Sequence, residues 1–149
     1  MASPNFYAAV YAIIGNPEGK ILFSQRKNTG FMDGKFQLPA GHMDGNESMA
    51  TAMIRELKEE IDIDVQEKDL KVVHISHRIS LGREYFDVYL EVLHFTGTPA
   101  INEPEKCESL AYFDIENINT VDFVNYDVDI IKMTDKGVTF SDVDMEKYQ

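Results

Sequence analysis

The chain has 149 residues, of which 44% are hydrophobic, a size and composition typical of one domain with a single core. Its 26 acidic and 14 basic side chains give a formal net charge of −12, which argues against a protein that mainly binds the phosphate backbone of a nucleic acid. The only cysteine, Cys107, permits no internal disulfide, so we expect one domain over residues 1–149, located in the cytoplasm.

The first predicted elements are two strands and a long loop. Residues 6–14 are rich in aromatic and β-branched side chains and are too few to span a bilayer, so they predict a strand and no membrane partner. The cluster at 15–19 predicts a turn, and residues 21–25 predict a second strand, which would complete a hairpin. Residues 26–45 predict a long loop with a short apolar segment at 36–39, and loops of this length are usually functional.

Residues 47–61 predict an amphipathic helix. Its apolar side chains recur every four positions, which predicts a stripe buried against a sheet. The stripe consists of Met49, Met53, Leu57 and Ile61. Either Asn46 or Ser48 could cap the amino end, and the helix should end near Asp62, where a left-handed residue is commonly required.

The remaining elements follow in order along the chain. Residues 71–80 and 84–95 predict two strands joined by a hairpin at Gly82. After a polar stretch, residues 110–113 predict a short strand and residues 121–133 a C-terminal helix.

Three carboxylates converge on one edge of the predicted helix. Glu56 and Glu60 are four positions apart, and Glu59 lies three positions from Glu56, so all three share one face. The helix dipole disfavours acidic groups near a carboxyl end by about 0.3–1 kcal/mol each, whereas a bound Mg²⁺ would stabilise them. Such a cluster is also common on solvated helices, and Arg55 can pair with Glu59, so the cluster alone does not decide the function.

The spacing around this cluster carries the specific signal. Gly41 is followed after five residues by Glu47, after seven more by RELKEE at 55–60, and after one more by Asp62 and Ile63. This pattern resembles the Nudix box, whose only mismatch here is Asp62 in place of glycine. Matching the other positions by chance has a probability on the order of one in a million. The lead-in at 28–42 and the segment at 101–113 resemble further family segments.

The resemblance implies a fold, a metal and a set of site residues. The fold is α/β, a Nudix-type α/β/α sandwich with a mixed β-sheet, and the cofactor is Mg²⁺, with Mn²⁺ as a substitute. The implied metal ligands are Gly41, Glu56, Glu59, Glu60 and Glu103. Glu47 and Arg55 are expected to brace the loop and helix as a bidentate pair, and Arg26 and His42 are candidate phosphate contacts. The general base is left open among Glu59, Glu60, Glu103 and Glu105.

The implied activity is metal-dependent hydrolysis of a phosphoanhydride. We expect a small-molecule nucleotide substrate, with a nucleoside triphosphate converted to the monophosphate and pyrophosphate. Dinucleoside polyphosphates and nucleoside diphosphate sugars are alternatives within the family. A catalytically silent nucleotide sensor is an alternative from another class, although all three helix carboxylates are present. The sequence leaves a homodimer open.

Overall fold

The computed structural model describes residues 4–144, so both ends of the expected domain, 1–3 and 145–149, lie outside the described residues. The elements, in chain order, are β1 (Phe6–Ile13), β2 (Ile21–Arg26), β3 (Phe36–Gln37), β4 (Ala40–His42), α1 (Met49–Ile61), β5 (Leu70–Ser80), β6 (Arg83–Val92), β7 (Cys107–Phe113), α2 (Asn125–Asp135) and β8 (Phe140–Asp144). Short 3-10 helices occupy Glu67–Asp69, Ile115–Asn117 and Thr120–Asp122. Over residues 4–144, no helix has the length and apolar content needed to cross a membrane.

Two sheets and two helices form the layers. A mixed five-stranded sheet has the order β4-β1-β6-β5-β8, and an antiparallel three-stranded sheet has the order β3-β2-β7. Side chains of β1 point alternately into two cores: Val10 packs with α1, whereas Ala9 packs with α2 and the smaller sheet. The predicted α/β sandwich with a mixed sheet is therefore confirmed.

The predicted hairpin of the first two strands is correct only at its turn. Gly15 pairs with Ile21, and the Asn16 side chain accepts hydrogen bonds from the backbone N–H groups of Glu18 and Lys20. Beyond this turn β1 and β2 separate into different sheets. The reason is that β1 is covered on both faces and its two edges are occupied by β4 and β6, so it is a central strand.

The hairpin between β5 and β6 is confirmed, with a two-residue turn between Ser80 and Arg83. Both turn residues, Leu81 and Gly82, have positive φ angles of 52° and 74°. Two positive φ angles define a type I′ turn, whose twist matches that of the paired strands. The backbone conformation of the turn therefore fixes the register of the longest strand pair.

Helix α1 begins two residues later than predicted and buries Met53, Leu57 and Ile61 of the predicted stripe, but not Met49. The Ser48 side chain caps the helix by accepting a hydrogen bond from the Thr51 N–H at 3.1 Å, so Glu47 lies outside the helix. Met53 is buried as predicted, but Met49 is 40% exposed, and Ala52 takes its place in the core. Four residues turn an α-helix by about 400°, which is about 40° more than one full turn. Side chains spaced four positions apart therefore rotate progressively away from the sheet along the helix.

The carboxyl end of α1 has the predicted left-handed residue. Asp62 has φ 56° and ψ 42°, and the Ile63 N–H lies 3.5 Å from the Leu57 carbonyl oxygen across it. The Asp62 N–H also donates to the Lys58 carbonyl oxygen at 3.2 Å, which is the bond of the αL cap motif, for which glycine is the usual residue. The Lys58 amine lies 3.0 Å from the Asp62 carboxylate and partly offsets the unfavourable charge at this end of the helix.

Several other predicted boundaries were wrong. Strand β6 ends at Val92 rather than 95, strand β7 begins at Cys107 rather than 110, and α2 begins at Asn125 because residues 120–122 form a 3-10 turn. Strand β8 was not predicted. Its sequence, FSDVD, carries two aspartates, which are uncommon in strands but are used on sheet edges to prevent further pairing.

A buried carboxylate links α2 to both sheets. The Asp127 side chain accepts hydrogen bonds from the Leu38 backbone N–H at 3.1 Å and from the Tyr89 hydroxyl at 2.9 Å. Burial raises the pKa of Asp127 to about 7. Leu38 precedes β4, so this carboxylate helps to fix the segment that enters the candidate site.

We expect Asp127→Asn to reduce the pH dependence of folding stability. The folded state binds the Asp127 proton more tightly than the unfolded state, so this group makes the free energy of unfolding fall as the pH rises from about 4 to about 7. The amide can still accept from Leu38 N–H and donate to the Tyr89 oxygen. Between pH 5 and pH 8, urea denaturation should show the parent losing at least about 1 kcal/mol relative to the variant. Equal losses in both proteins would contradict this role.

Candidate active site

Glycine at position 41 allows a helix carboxylate to lie against strand β4. Gly41 pairs with Val10 of β1, and a Cβ atom at this position would lie 1.9 Å from the Cδ atom of Glu56. No other residue would leave room for the carboxylate. The Glu56 side chain is mostly buried there, and burial raises its pKa while Arg55 lowers it.

Arg55 holds the loop and helix carboxylates together. Its Nη2 atom lies 2.7 Å from Glu47 Oε1 and its Nε atom 3.3 Å from Glu47 Oε2, a fork that lowers the pKa of Glu47. The same guanidinium reaches Glu56 at 2.9 Å and Glu59 at 3.4 Å. It also lies 3.3 Å from Asp44, which the sequence analysis did not single out. The structure therefore pairs Glu47 with Arg55 across the loop before α1.

Glu60 points into a small cleft. Its Oε2 atom accepts a hydrogen bond from the Ala40 N–H at 3.3 Å. Burial, together with the nearby charges of Glu56 and Glu103, raises the pKa of Glu60 to about 8. The cleft has a volume of about 200 Å³, and its lining includes Arg26, Gln37, Glu60, Glu103, Lys106 and Cys107.

The donor set fits a hard divalent cation. Burial raises the pKa of both Glu56 and Glu60, and the charge of Glu56 also raises the pKa of Glu60, whereas a bound cation would lower both. Carboxylate oxygens are also the ligands that Mg²⁺ prefers. As they stand, no three acidic, imidazole or thiol groups of residues 4–144 are close enough to hold an ion together. Glu59 is 54% exposed, and its carboxylate lies 3.4 Å from Arg55.

The two other acidic candidates occupy different positions. Glu103 lines the cleft with Glu60 and is only partly exposed. Glu105 is exposed, and its backbone carbonyl accepts a hydrogen bond from the Asn28 side chain. The structure therefore brings Glu103, but not Glu105, into the cleft lining.

Arg26 organises the long loop beside the cleft. Its Nε atom donates to the Phe31 carbonyl at 2.5 Å, Nη2 donates to the Thr29 hydroxyl at 2.8 Å, and Nη1 donates to the Gln37 side chain. The guanidinium also lies 5.3 Å from the centre of the Phe31 ring. These contacts fold residues 27–35 back toward β2 and β3, a function that the sequence analysis did not foresee.

A larger cleft of about 570 Å³ adjoins the first on the sheet face opposite α1. The two clefts share part of their lining, including Arg26 and Gln37. Cationic groups and aromatic rings line the larger one, including His42, Arg78, Arg83, Phe31, Tyr85 and Tyr126. A cationic, aromatic lining is unusual in a chain with a net charge of −12 and suits an anionic ligand with a flat ring.

Arg78 is the main residue of this cleft that sequence reasoning missed. Its Nε atom lies 2.5 Å from Asp87 Oδ2, and its guanidinium lies 4.0 Å from the centre of the Tyr85 ring. Strand β5 has an inverted pattern, with polar side chains buried and apolar ones exposed. The buried ones are His74, Ser76, Arg78 and Ser80. This alternating run of polar residues was the signal that could have identified a polar cleft.

Similar folds occur among solved structures. A MutT NUDIX hydrolase from Burkholderia pseudomallei superposes with a TM-score of 0.76 at 23% identity, over 91% of this chain and 99% of that one. The E. coli ORF135 protein gives 0.72 at 24% identity, over 87% and 91% of the two chains. A UDP-X diphosphatase gives 0.61 at 17% identity, over 97% and 70%. Likeness at these identities establishes the fold.

The family follows from the sequence match. The family model described as NUDIX domain matches residues 5–133, which is most of the chain. The match includes the whole of the loop, β4 and α1, which position Glu47, Arg55, Glu56 and Glu60. The chain therefore belongs to the Nudix family, as a hydrolase that acts on phosphorus-containing acid anhydrides.

Proposed function

We propose that this hydrolase is a Mg²⁺-dependent pyrophosphohydrolase that converts a nucleoside triphosphate to the monophosphate and pyrophosphate. The observation that carries the proposal is the junction of the two clefts. A cleft of about 200 Å³ that contains the carboxylates of Glu60 and Glu103 opens beside a cleft of about 570 Å³ lined by aromatic and basic side chains. A substrate lying across the junction would place its phosphate chain beside the carboxylates and its nucleoside among the rings.

The sizes of the clefts support this placement. Pockets for small molecules usually have volumes of about 300–1,000 Å³ and combine apolar walls with a few polar groups. The larger cleft falls in this range at about 570 Å³, whereas the smaller one, at about 200 Å³, suits phosphate groups and an ion. Arg26 lines both clefts and His42 lines the larger one, and in this proposal both contact the phosphate chain.

In this proposal one set of residues binds the metal ion, and a second set keeps the Glu56 carboxylate in position. Glu56, Glu59, Glu60 and the Gly41 carbonyl would hold Mg²⁺, with Mn²⁺ as a substitute. When bound, the ion supplies neutralisation of the phosphate oxygens and a lower pKa for the attacking water. Glu47 and Arg55 keep Glu56 in place through the fork at 2.7 and 3.3 Å and the contact at 2.9 Å.

The position of the carboxylates favours two of the four candidates for the general base. Glu60 and Glu103 line the small cleft, so either can reach a water attacking a phosphate there. Glu59 is exposed and paired with Arg55, and Glu105 is exposed away from the cleft lining. We therefore assign proton removal to Glu60 or Glu103.

In this proposal residues 1–149 form one domain that acts in the cytoplasm on a small-molecule nucleotide.

The proposal is tested by product analysis with the purified chain. Nucleoside triphosphates, dinucleoside polyphosphates and nucleoside diphosphate sugars are each incubated with MgCl₂, and products are separated by anion exchange. We expect monophosphate and pyrophosphate from a triphosphate, and loss of turnover with EDTA that Mg²⁺ or Mn²⁺ restores. Preferential cleavage of a nucleoside diphosphate sugar would indicate a different substrate class, closer to the one in the name of the UDP-X diphosphatase. Nucleotide binding without turnover would favour the silent sensor and overturn the proposal.

A further inference from the structure

Helix α1 covers only part of one face of the five-stranded sheet. Side chains at paired positions lie on the same face, so one row crosses the sheet through Val10, Val88, Ile75 and Phe140. Val10 and Val88 are buried against α1, whereas Ile75 and Phe140 are exposed. The half of the face formed by β5 and β8 therefore has no covering layer among residues 4–144.

The uncovered part of this face carries six large apolar side chains and a small charged group, and we call it the open face. Its large exposed side chains are Phe6, Val72, Ile75, Ile79, Phe86 and Phe140. Phe6 and Phe86 are in contact, with ring centres 5.3 Å apart. Phe140 belongs to β8, which lies beyond residue 133, where the NUDIX domain match ends. A strand outside the family domain therefore widens the apolar surface.

The apolar area agrees with that of a dimer interface. Phe6, Phe86 and Phe140 are 49%, 41% and 72% exposed, which corresponds to about 300 Å² if each phenylalanine presents about 200 Å². The three aliphatic side chains add to this area. Two-fold interfaces bury about 800 Å² on each partner, of which about 65%, or about 500 Å², is apolar. Exposed apolar patches of this size usually mark interaction sites.

One small charged group lies among the apolar side chains of the open face. His77 stacks on Phe86, with ring centres 5.2 Å apart, and its ring nitrogens lie 2.9 Å from Glu84 and 3.4 Å from Asp142. Glu84 and Asp142 therefore share one partner within the chain, and their side chains are 44% and 82% exposed. The edge of β8 is less suitable for pairing because Asp142 and Asp144 would face their own copies there.

We propose that the open face is the interface of a two-fold homodimer, so that its occupant is a second copy of this chain. A two-fold interface brings the same patch of both subunits together, which suits a surface with large exposed apolar side chains. The larger cleft opens on the other face of the sheet, lined by Ala9, Tyr11 and Tyr85. Both active sites therefore stay accessible in the dimer, and the inference does not depend on the identity of the substrate.

Sedimentation equilibrium of the full chain tests this interface. In about 0.5 M NaCl, which screens the repulsion between two chains of charge −12, we expect twice the chain mass of 17.0 kDa at micromolar concentrations. Phe140→Lys and Ile75→Lys each place a cation in the interface, so each should raise the dissociation constant at least about a hundredfold. The matched control is Val121→Lys, because Val121 is 62% exposed and lies in the 3-10 turn before α2, outside the open face.

Two results would overturn the homodimer. One is a parent protein that sediments at the chain mass up to about 100 μM, which would leave the face to a different partner. The other is a dissociation constant of the dimer that neither lysine substitution raises. Turnover of the lysine variants shows that they are folded, since Phe140 and Ile75 lie on the sheet face opposite the larger cleft. The mass of the parent is decisive even if a variant fails to fold.

Discussion

Glu60→Gln is expected to lower kcat at least about a hundredfold without lowering folding stability. The amide keeps the size of the side chain but cannot hold Mg²⁺ through an anionic oxygen or accept the proton of the attacking water. A loss of about 2.7 kcal/mol of transition-state stabilisation corresponds to a hundredfold in rate, which is modest for a metal-assisted step. Steady-state kinetics at saturating nucleotide and Mg²⁺ measures this change.

The stability of the same variant provides the second measurement. In the metal-free protein the pKa of Glu60 is raised to about 8, so this group makes the free energy of unfolding fall as the pH rises from about 4.5 to about 8. Glutamine removes that cost, and the variant should be at least as stable as the parent at pH 8. Glu67→Gln, at an exposed position in a 3-10 helix, is the matched control. Turnover within a few-fold of the parent at an unchanged melting temperature would mean that the carboxylate cluster is only surface.

Gly41→Ala is expected to lower kcat by about a hundredfold through the displacement of Glu56. The new Cβ would lie 1.9 Å from the Glu56 Cδ atom and 2.3 Å from each carboxylate oxygen. These atoms are the end of a flexible side chain, so the carboxylate can move away while the fold is retained. The change should therefore separate activity from stability, with the melting temperature within a few degrees of the parent.

A double-mutant cycle tests this mechanism. If Gly41→Ala acts by moving Glu56, then it should cost little further activity in a Glu56→Gln background. Gly15→Ala is the matched control, because the nearest atom to a Cβ at that position is 3.8 Å away and its φ is not positive. Additive losses in the cycle would show that Gly41 acts on something other than Glu56.

The sequence predicted the local contacts around the candidate site better than the long-range contacts of the fold. The spacing of Gly41, Glu47 and Arg55 predicted a loop and helix that the structure brings together, because these contacts are local and depend on helix geometry. The helix start was misplaced because both Asn46 and Ser48 were suitable caps, and only the fold decides between them. The structure also adds Asp44 as a partner of Arg55, which no spacing rule indicates.

Long-range placement could not be predicted in the same way. The first two strands read as a hairpin, but which strand pairs with β1 depends on β6, which is distant in sequence. Strand β5 has its polar residues inward, so a rule that buries apolar side chains assigns Arg78 and Ile79 to the wrong faces. Both features depend on what covers each face of the sheet, and local periodicity contains no information about that.

The parallel pairing of β1 with β6 also determines the order in which the chain can fold. Every element from β2 to β5 lies between these two strands, so their contact closes a long loop and carries a high entropic cost. The β5–β6 hairpin, which closes through only two residues, can form within microseconds. During synthesis β1 and its neighbour β4 are complete long before β6, so the central pairing of the sheet can form only after β6 has been made.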